Sequence, residues 1–143
     1  MKLKKWLLGF ATFAAMVVIC AMCAGAETYG DFEYSVLDDG TVGITGYNGS
    51  AEKVDIPAEI DGKKVTEIGR FAFENNYTLT SVTIPDSVIY IRTMAFNTCT
   101  SLESIKLPVN LEVIEEASFI RCKALTSVTI PDSVTSIKGS AFY

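Results

Sequence analysis

One phrase occurs twice in this chain almost letter for letter. Leu79-Thr-Ser-Val-Thr-Ile84-Pro85-Asp-Ser-Val88 returns as Leu125-Thr-Ser-Val-Thr-Ile130-Pro131-Asp-Ser-Val134, with Leu102-Glu-Ser-Ile-Lys-Leu107-Pro108 between them. Pro85, Pro108 and Pro131 are 23 residues apart. A degenerate earlier copy, Val54-Asp-Ile56-Pro57, lies 28 residues before Pro85, and Asp61-Gly62 is a turn signal that absorbs its five extra residues. With that correction Ile60, Val88, Leu111 and Val134 form one column, and Ile68, Ile91, Ile114 and Ile137 form the next. Phe73, Phe96, Phe119 and Phe142 close the pattern, preceded by Ala72, Ala95, Ser118 and Ala141. Several columns of different residue types hold register across four copies, so the repeat governs the fold.

A period of this length specifies a solenoid. In Leu-x-x-Val-x-Ile the alternating end is a short strand with one face inward, which Pro terminates by removing an amide donor. A second extended piece carries Val88 and Ile91. Ala-Phe then starts a helical or 3₁₀ turn that wedges its ring between coils. One coil buries too few side chains to offset the entropy of ordering its own backbone, so coils must stack and the ends need caps. The expected fold is therefore a mostly β solenoid with short helical or 3₁₀ turns, over residues 51–143, in about three and a half coils.

Residues 27–50 read as the N-terminal cap. Phe32, Tyr34 and Val36 alternate, Asp39-Gly40 signals a tight turn, and Val42 and Ile44 alternate on the return, which spells a β-hairpin. Asn48-Gly49 marks the next turn. At the other end Phe142-Tyr143 falls about halfway through a coil, with no polar closing element. Either the array continues in a longer protein, or the open end pairs with another chain.

Residues 1–26 read as a targeting segment. Lys2, Lys4 and Lys5 precede an uncharged run from Trp6 to Ala26, and Ala24-Gly25-Ala26 places small residues where a signal peptidase accepts them. Cleavage is expected between Ala26 and Glu27. An uncleaved anchor is the competing reading, since the run is long enough to span a bilayer. Both readings send the rest of the chain outward, to a secreted or cell-surface place. Export leaves nine basic residues against 17 acidic ones, a net charge of −8, which argues against nucleic acid as a partner. Membrane contact is expected only through an uncleaved leader.

The repeat resembles the BspA-type, or treponemal-class, leucine-rich repeat, whose pattern runs Leu-x-x-Leu-x-Leu-Pro-x-x-Leu-x-x-Ile-Gly-x-x-Ala-Phe-x-x-Cys. Residues 79–101 match nearly every defined position, with Arg92 in place of Gly. Residues 102–124 carry Glu115 for Gly and Ser118 for Ala, and the first coil has Asn76 where Cys is expected. The resemblance covers roughly Val54 to Phe142. It implies a secreted or surface protein of adhesin-like role, and it carries over no ligand residues.

The candidate chemistry is sparse. The chain has no His, which removes Ser-His, Cys-His and His-ligated metal sites together. Cys99 and Cys122 are 23 apart, close enough to bridge in stacked coils, yet equivalent positions project in parallel. With Asn76 in the same slot, two free buried thiols in a ladder Asn76, Cys99, Cys122 are the preferred reading. The pairs Asp38-Asp39 and Glu115-Glu116 suit a turn and a solvated stretch better than catalysis. Asn48-Gly-Ser and Asn76-Tyr-Thr match the glycosylation pattern only weakly. No enzyme activity, cofactor or metal is expected.

The outward strand columns are the better candidates for contact. Ser81, Ser104 and Ser127 make one line, and Asp55, Thr83, Lys106 and Thr129 the next. Ile89 and Tyr90 stand where the other coils have Glu112-Val113 and Thr135-Ser136, and read as an exposed apolar pair at the margin of that surface. The expected function is an exported module binding proteins or other macromolecules through Thr83, Lys106, Thr129, Ile89 and Tyr90. The alternative is a structural spacer, or a piece of a larger surface protein, whose uncapped C-terminal end self-associates.

Overall fold

The computed structural model describes residues 26–143. The leader, apart from its last residue Ala26, lies outside the described residues. Eleven strands follow in chain order: β1 (Glu27–Tyr29), β2 (Phe32–Val36), β3 (Val42–Tyr47), β4 (Lys53–Asp55), β5 (Glu59–Ile60), β6 (Lys63–Ile68), β7 (Ser81–Thr83), β8 (Tyr90–Ile91), β9 (Ser104–Lys106), β10 (Val113–Ile114) and β11 (Ser136–Ile137). They form two sheets. One runs β1-β2-β3-β6-β8-β10-β11, with β5 paired to β6, and the other runs β4-β7-β9.

Each of the first three coils places a strand in the smaller sheet and all four contribute to the larger one, so equivalent residues pair in parallel. Lys53, Ser81 and Ser104 are in register, as are Val54, Val82 and Ile105, and Asp55, Thr83 and Lys106. In the larger sheet Ile68, Ile91, Ile114 and Ile137 are in register. The two-residue strands of that sheet follow from the sequence: only the residues beside these isoleucines are extended before the next turn begins.

The cap is larger than a hairpin. β2 and β3 pair antiparallel around the Asp39-Gly40 turn, where Gly40 has φ 81° and Asp39 accepts bonds from the Thr41 amide and hydroxyl. These two bonds hold the Asp39 carboxyl below its ordinary range. β1 adds a third strand, which the sequence reading missed because Glu27-Thr28-Tyr29 is too short to show a pattern. β3 then pairs parallel with β6 and so docks the cap onto the first coil. The five-residue insertion is the tight β5–β6 hairpin, with Asp61 at φ 49° and Gly62 at φ 73°, the handedness such two-residue loops require.

The Ala-Phe stretches are linked hydrogen-bonded turns, and no helix occurs among the described residues. Phe71, Met94, Ala117 and Ser140 have positive φ, as do Asn75, Thr98 and Arg121 four residues on in the first three coils. This alternation turns the amides along the solenoid axis, where they bond to the next coil. Phe73 N donates to Ala95 O at 2.8 Å, Phe96 N to Ser118 O at 2.8 Å and Phe119 N to Ala141 O at 2.7 Å. A continuous helix would have spent those donors within one coil.

The core is the set of stacked columns. Ile68, Ile91, Ile114, Leu79, Leu102, Val88 and Leu111 are fully buried. The rings of Phe73, Phe96, Phe119 and Phe142 stack at 4.9–5.2 Å, close to the spacing between strands. The stack continues into the cap through Tyr47, 5.3 Å from Phe73, and ends on Phe32.

Candidate functional site

The β4-β7-β9 face gathers most of the outward columns. Strand alternation sends Val54, Val82 and Ile105 inward and leaves Lys53, Asp55, Thr83, Ser104 and Lys106 exposed, with Ser81 half-buried. Ser104 Oγ donates to Ser81 Oγ at 3.2 Å, tying two rungs together. Thr129 departs from the expected column. Residues 127–129 keep the sequence of β7 but form no strand, so Thr129 is exposed without a paired rung beside it. Backbone pairing in this sheet ends at β9.

Ile89 and Tyr90 are placed elsewhere. Tyr90 begins β8 in the larger sheet, in register with Glu67 and Val113, so it does not border the Thr83–Lys106 face. Both residues are half-buried, where the sequence reading took them as exposed. The backbone of Ile89 is a rung between Thr66 O and Glu112 N, and the Tyr90 ring lies under the Arg92 guanidinium at 4.6 Å.

That guanidinium belongs to a network which pattern reading missed. Arg92 reaches back one coil to Glu67 at 2.5 Å and forward to Glu115 at 2.9 Å. Glu115 also accepts from the Thr93 amide and hydroxyl at 3.1 and 3.0 Å. Burial tends to raise the Glu115 carboxyl, but the bonds from Arg92 and Thr93 outweigh it and hold the group below its ordinary value. The bond to Glu67 likewise raises Arg92, against the effect of its burial. The signal was present in the sequence: the column that begins with Gly69 continues as Arg92, Glu115 and Lys138, so adjacent coils carry opposite charges. Ser118, the departure from Ala, is fully buried with Oγ at 2.6 Å from Glu115 O and 3.2 Å from Arg92 O, so its hydroxyl is satisfied.

Cys99 and Cys122 are buried and unbridged. Each thiol donates to the phenylalanine carbonyl one coil back, Cys99 to Phe73 O at 3.0 Å and Cys122 to Phe96 O at 3.2 Å. The neighbouring Cys122 thiol, together with burial, pushes the Cys99 thiol far above its ordinary value. Asn76 leaves this ladder. It is half-exposed, and its Oδ1 accepts from the amides of Thr78 and Leu79 and from the Thr78 hydroxyl, a local turn that a thiol is too weak an acceptor to form. Among the described residues no group of three or more acidic or Cys side chains is placed to hold a metal ion.

Two cavities lie at the two ends of the solenoid. One, about 460 Å³, is lined by Phe119, Arg121, Lys123, Leu125, Phe142 and Tyr143 among others, and one of about 220 Å³ by Tyr29, Asp31, Phe32, Tyr47 and β4. Ala26 is exposed and irregular, and Glu27 enters β1, where its carboxylate accepts from Tyr34 Oη at 2.6 Å.

This arrangement of coils is that of a leucine-rich repeat protein. The family model for the BspA type leucine rich repeat region matches residues 47–143 in six copies, and the chain belongs to that family. Among solved structures it is similar to a leucine-rich repeat protein from Bacteroides capillosus, at 38% identity and a TM-score of 0.75, over 80% of this chain and 88% of that one. It is also similar to the leucine rich repeat protein of T. pallidum, at 35% identity and TM-score 0.75, over 78% and 53% of the two chains. A leucine rich cell surface protein from Faecalibacterium prausnitzii matches at 36% identity and TM-score 0.75, over 86% of this chain. This chain spans about half of the T. pallidum protein and 35% of the F. prausnitzii one. No curated protein matches the chain.

Proposed function

We propose that the chain is an exported, adhesin-like interaction module that docks a protein or other extracellular macromolecule on the β4-β7-β9 face and performs no catalysis. The observation that carries this is the register itself, which lines up Asp55, Thr83 and Lys106 beside Lys53, Ser81 and Ser104. Such a face offers donors, acceptors, two positive charges (Lys53 and Lys106) and one negative charge (Asp55) on a rigid grid with a rung about every 4.8 Å. Membership of the family and the likeness to the F. prausnitzii cell surface protein support a surface or secreted place. In this reading the leader is removed between Ala26 and Glu27, and Thr129 prolongs the contact face beyond β9.

The test is binding of bead-coupled protein to a panel of purified host matrix proteins. Thr83→Ala with Lys106→Glu is expected to weaken capture about tenfold. Unchanged binding to every partner found would place the surface elsewhere.

A further inference from the structure

We infer that Asn76 is a glycan attachment site, its side-chain amide joined through Nδ2 to the first sugar of an N-linked chain. This rests on the exported reading above, since such asparagines receive sugar on exported chains. Asn76-Tyr77-Thr78 has the required spacing, an Asn two residues before a Thr with no proline between. The fold adds what a short motif lacks. In the next two coils the same slot holds Cys99 and Cys122, both buried against the preceding coil. Asn76 instead turns outward, and Asn75, Tyr77 and Thr78 beside it are exposed. Its Oδ1 accepts from the Thr78 hydroxyl at 3.0 Å, the Thr78 amide at 3.2 Å and the Leu79 amide at 3.0 Å. Three donors on one oxygen fix the orientation of the side-chain amide, with Nδ2 directed away from the turn. Among the described residues Nδ2 donates to no protein acceptor, and no buried side-chain nitrogen lacks a partner, so this one stands in solvent.

The second match in the chain, Asn48-Gly49-Ser50, is closed to the same chemistry. Asn48 Nδ2 donates to Glu33 Oε1 at 2.8 Å, and its backbone amide donates to Asp31 O at 2.8 Å. Gly49 is hemmed in as well, since a Cβ there would overlap the Tyr47 hydroxyl and the Asp31 carboxylate. The transfer takes a donor sugar activated as a diphosphate ester. Asn76 Nδ2 attacks the anomeric carbon, the N–C bond forms as the C–O bond to the diphosphate breaks, and the diphosphate leaves with that electron pair. The proton lost from Nδ2 passes to a base on the transferase. The Thr78 hydroxyl stabilises the negative charge that gathers on Oδ1 as this proton leaves. The attachment point lies in a turn outside both sheets, so the sugar displaces no strand pairing.

The test is peptide mass spectrometry on the exported protein recovered from the cells that make it. Trypsin cuts after Arg70 and Arg92 and releases residues 71–92, a peptide with no Lys or Arg inside it. That peptide is expected to be heavier than its sequence by whole sugar units, with its fragments placing the added mass on Asn76. Asn76→Gln and Thr78→Ala should each return it to the sequence mass, and Asn48→Gln should change nothing. Thr78→Ser keeps a hydroxyl at the same place and should keep the sugar, which separates loss of the site from a folding defect. A peptide at its sequence mass in exported protein overturns this inference alone. Sugar that persists in Asn76→Gln is held by a hydroxyl and overturns it too. A chain found only inside the cell overturns the exported reading and the inference with it.

Discussion

Arg92 and Glu115 account for each other. Gly69, at the same position one coil earlier, has no room for a side chain, yet the next two coils place a cation and an anion there, and Arg92 also reaches Glu67. Because Glu115 titrates below its unfolded value near 4.5, the unfolded chain takes up the proton first as pH falls. The stabilisation is complete above that value and is lost as the pH drops through the lower folded one. Arg92→Ala is expected to lower the urea midpoint at pH 7 and to flatten its fall as the pH drops below the ordinary carboxylate value near 4.5, since the variant has no ion pair left to lose. A variant whose midpoint falls as steeply as wild type would show that the network does not govern acid stability. The cysteines make the complementary point. Their burial and the carbonyls they bond make them part of the packing.

Among the elements, the turns differ most from what their sequence suggests. Ala-Phe stretches with few glycines read as helical or 3₁₀, but the chain adopts left-handed backbone twice per coil, at Met94 and Thr98 for example. Each such residue costs about 1–2 kcal/mol locally, offset by an amide that bonds to the next coil. Only stacked coils supply that acceptor, so no single-coil pattern predicts the conformation. At the junction of cap and solenoid the constraint is steric. A Cβ on Gly69 would stand 2.7 Å from Ile44 O, and that same carbonyl accepts the Gly69 amide at 2.8 Å. Gly69→Ala is expected to cost about 1–3 kcal/mol in urea unfolding and to raise amide exchange in β3, where the cap meets β6. Exchange unchanged in β3 would mean the cap moves aside without loss.

At the scale of the molecule, one aromatic column runs from Phe32 to Phe142 and ties the cap to the last coil. Position along it should set the effect of losing a ring. Phe96, fully buried between Phe73 and Phe119, is expected to cost about 3–5 kcal/mol as Phe96→Ala, and Phe142→Ala about 1 kcal/mol or less when the end is free, both read from urea denaturation. The repeat itself determined the stacking direction, the buried columns and the cap-to-coil order, because a hydrophobic residue every 23 positions has one way to be buried in register. What the tertiary structure decided was which outward residues share a face. Tyr90 and Thr83 are seven residues apart, yet the turn after Pro85 delivers them to different sheets, and Thr129 repeats Thr83 without its pairing. Identical letters bury the same side chain wherever a coil is covered on both sides, as at Ile68, Ile91 and Ile114. Contact surfaces depend on neighbours across coils, and those are set only when the stack has formed.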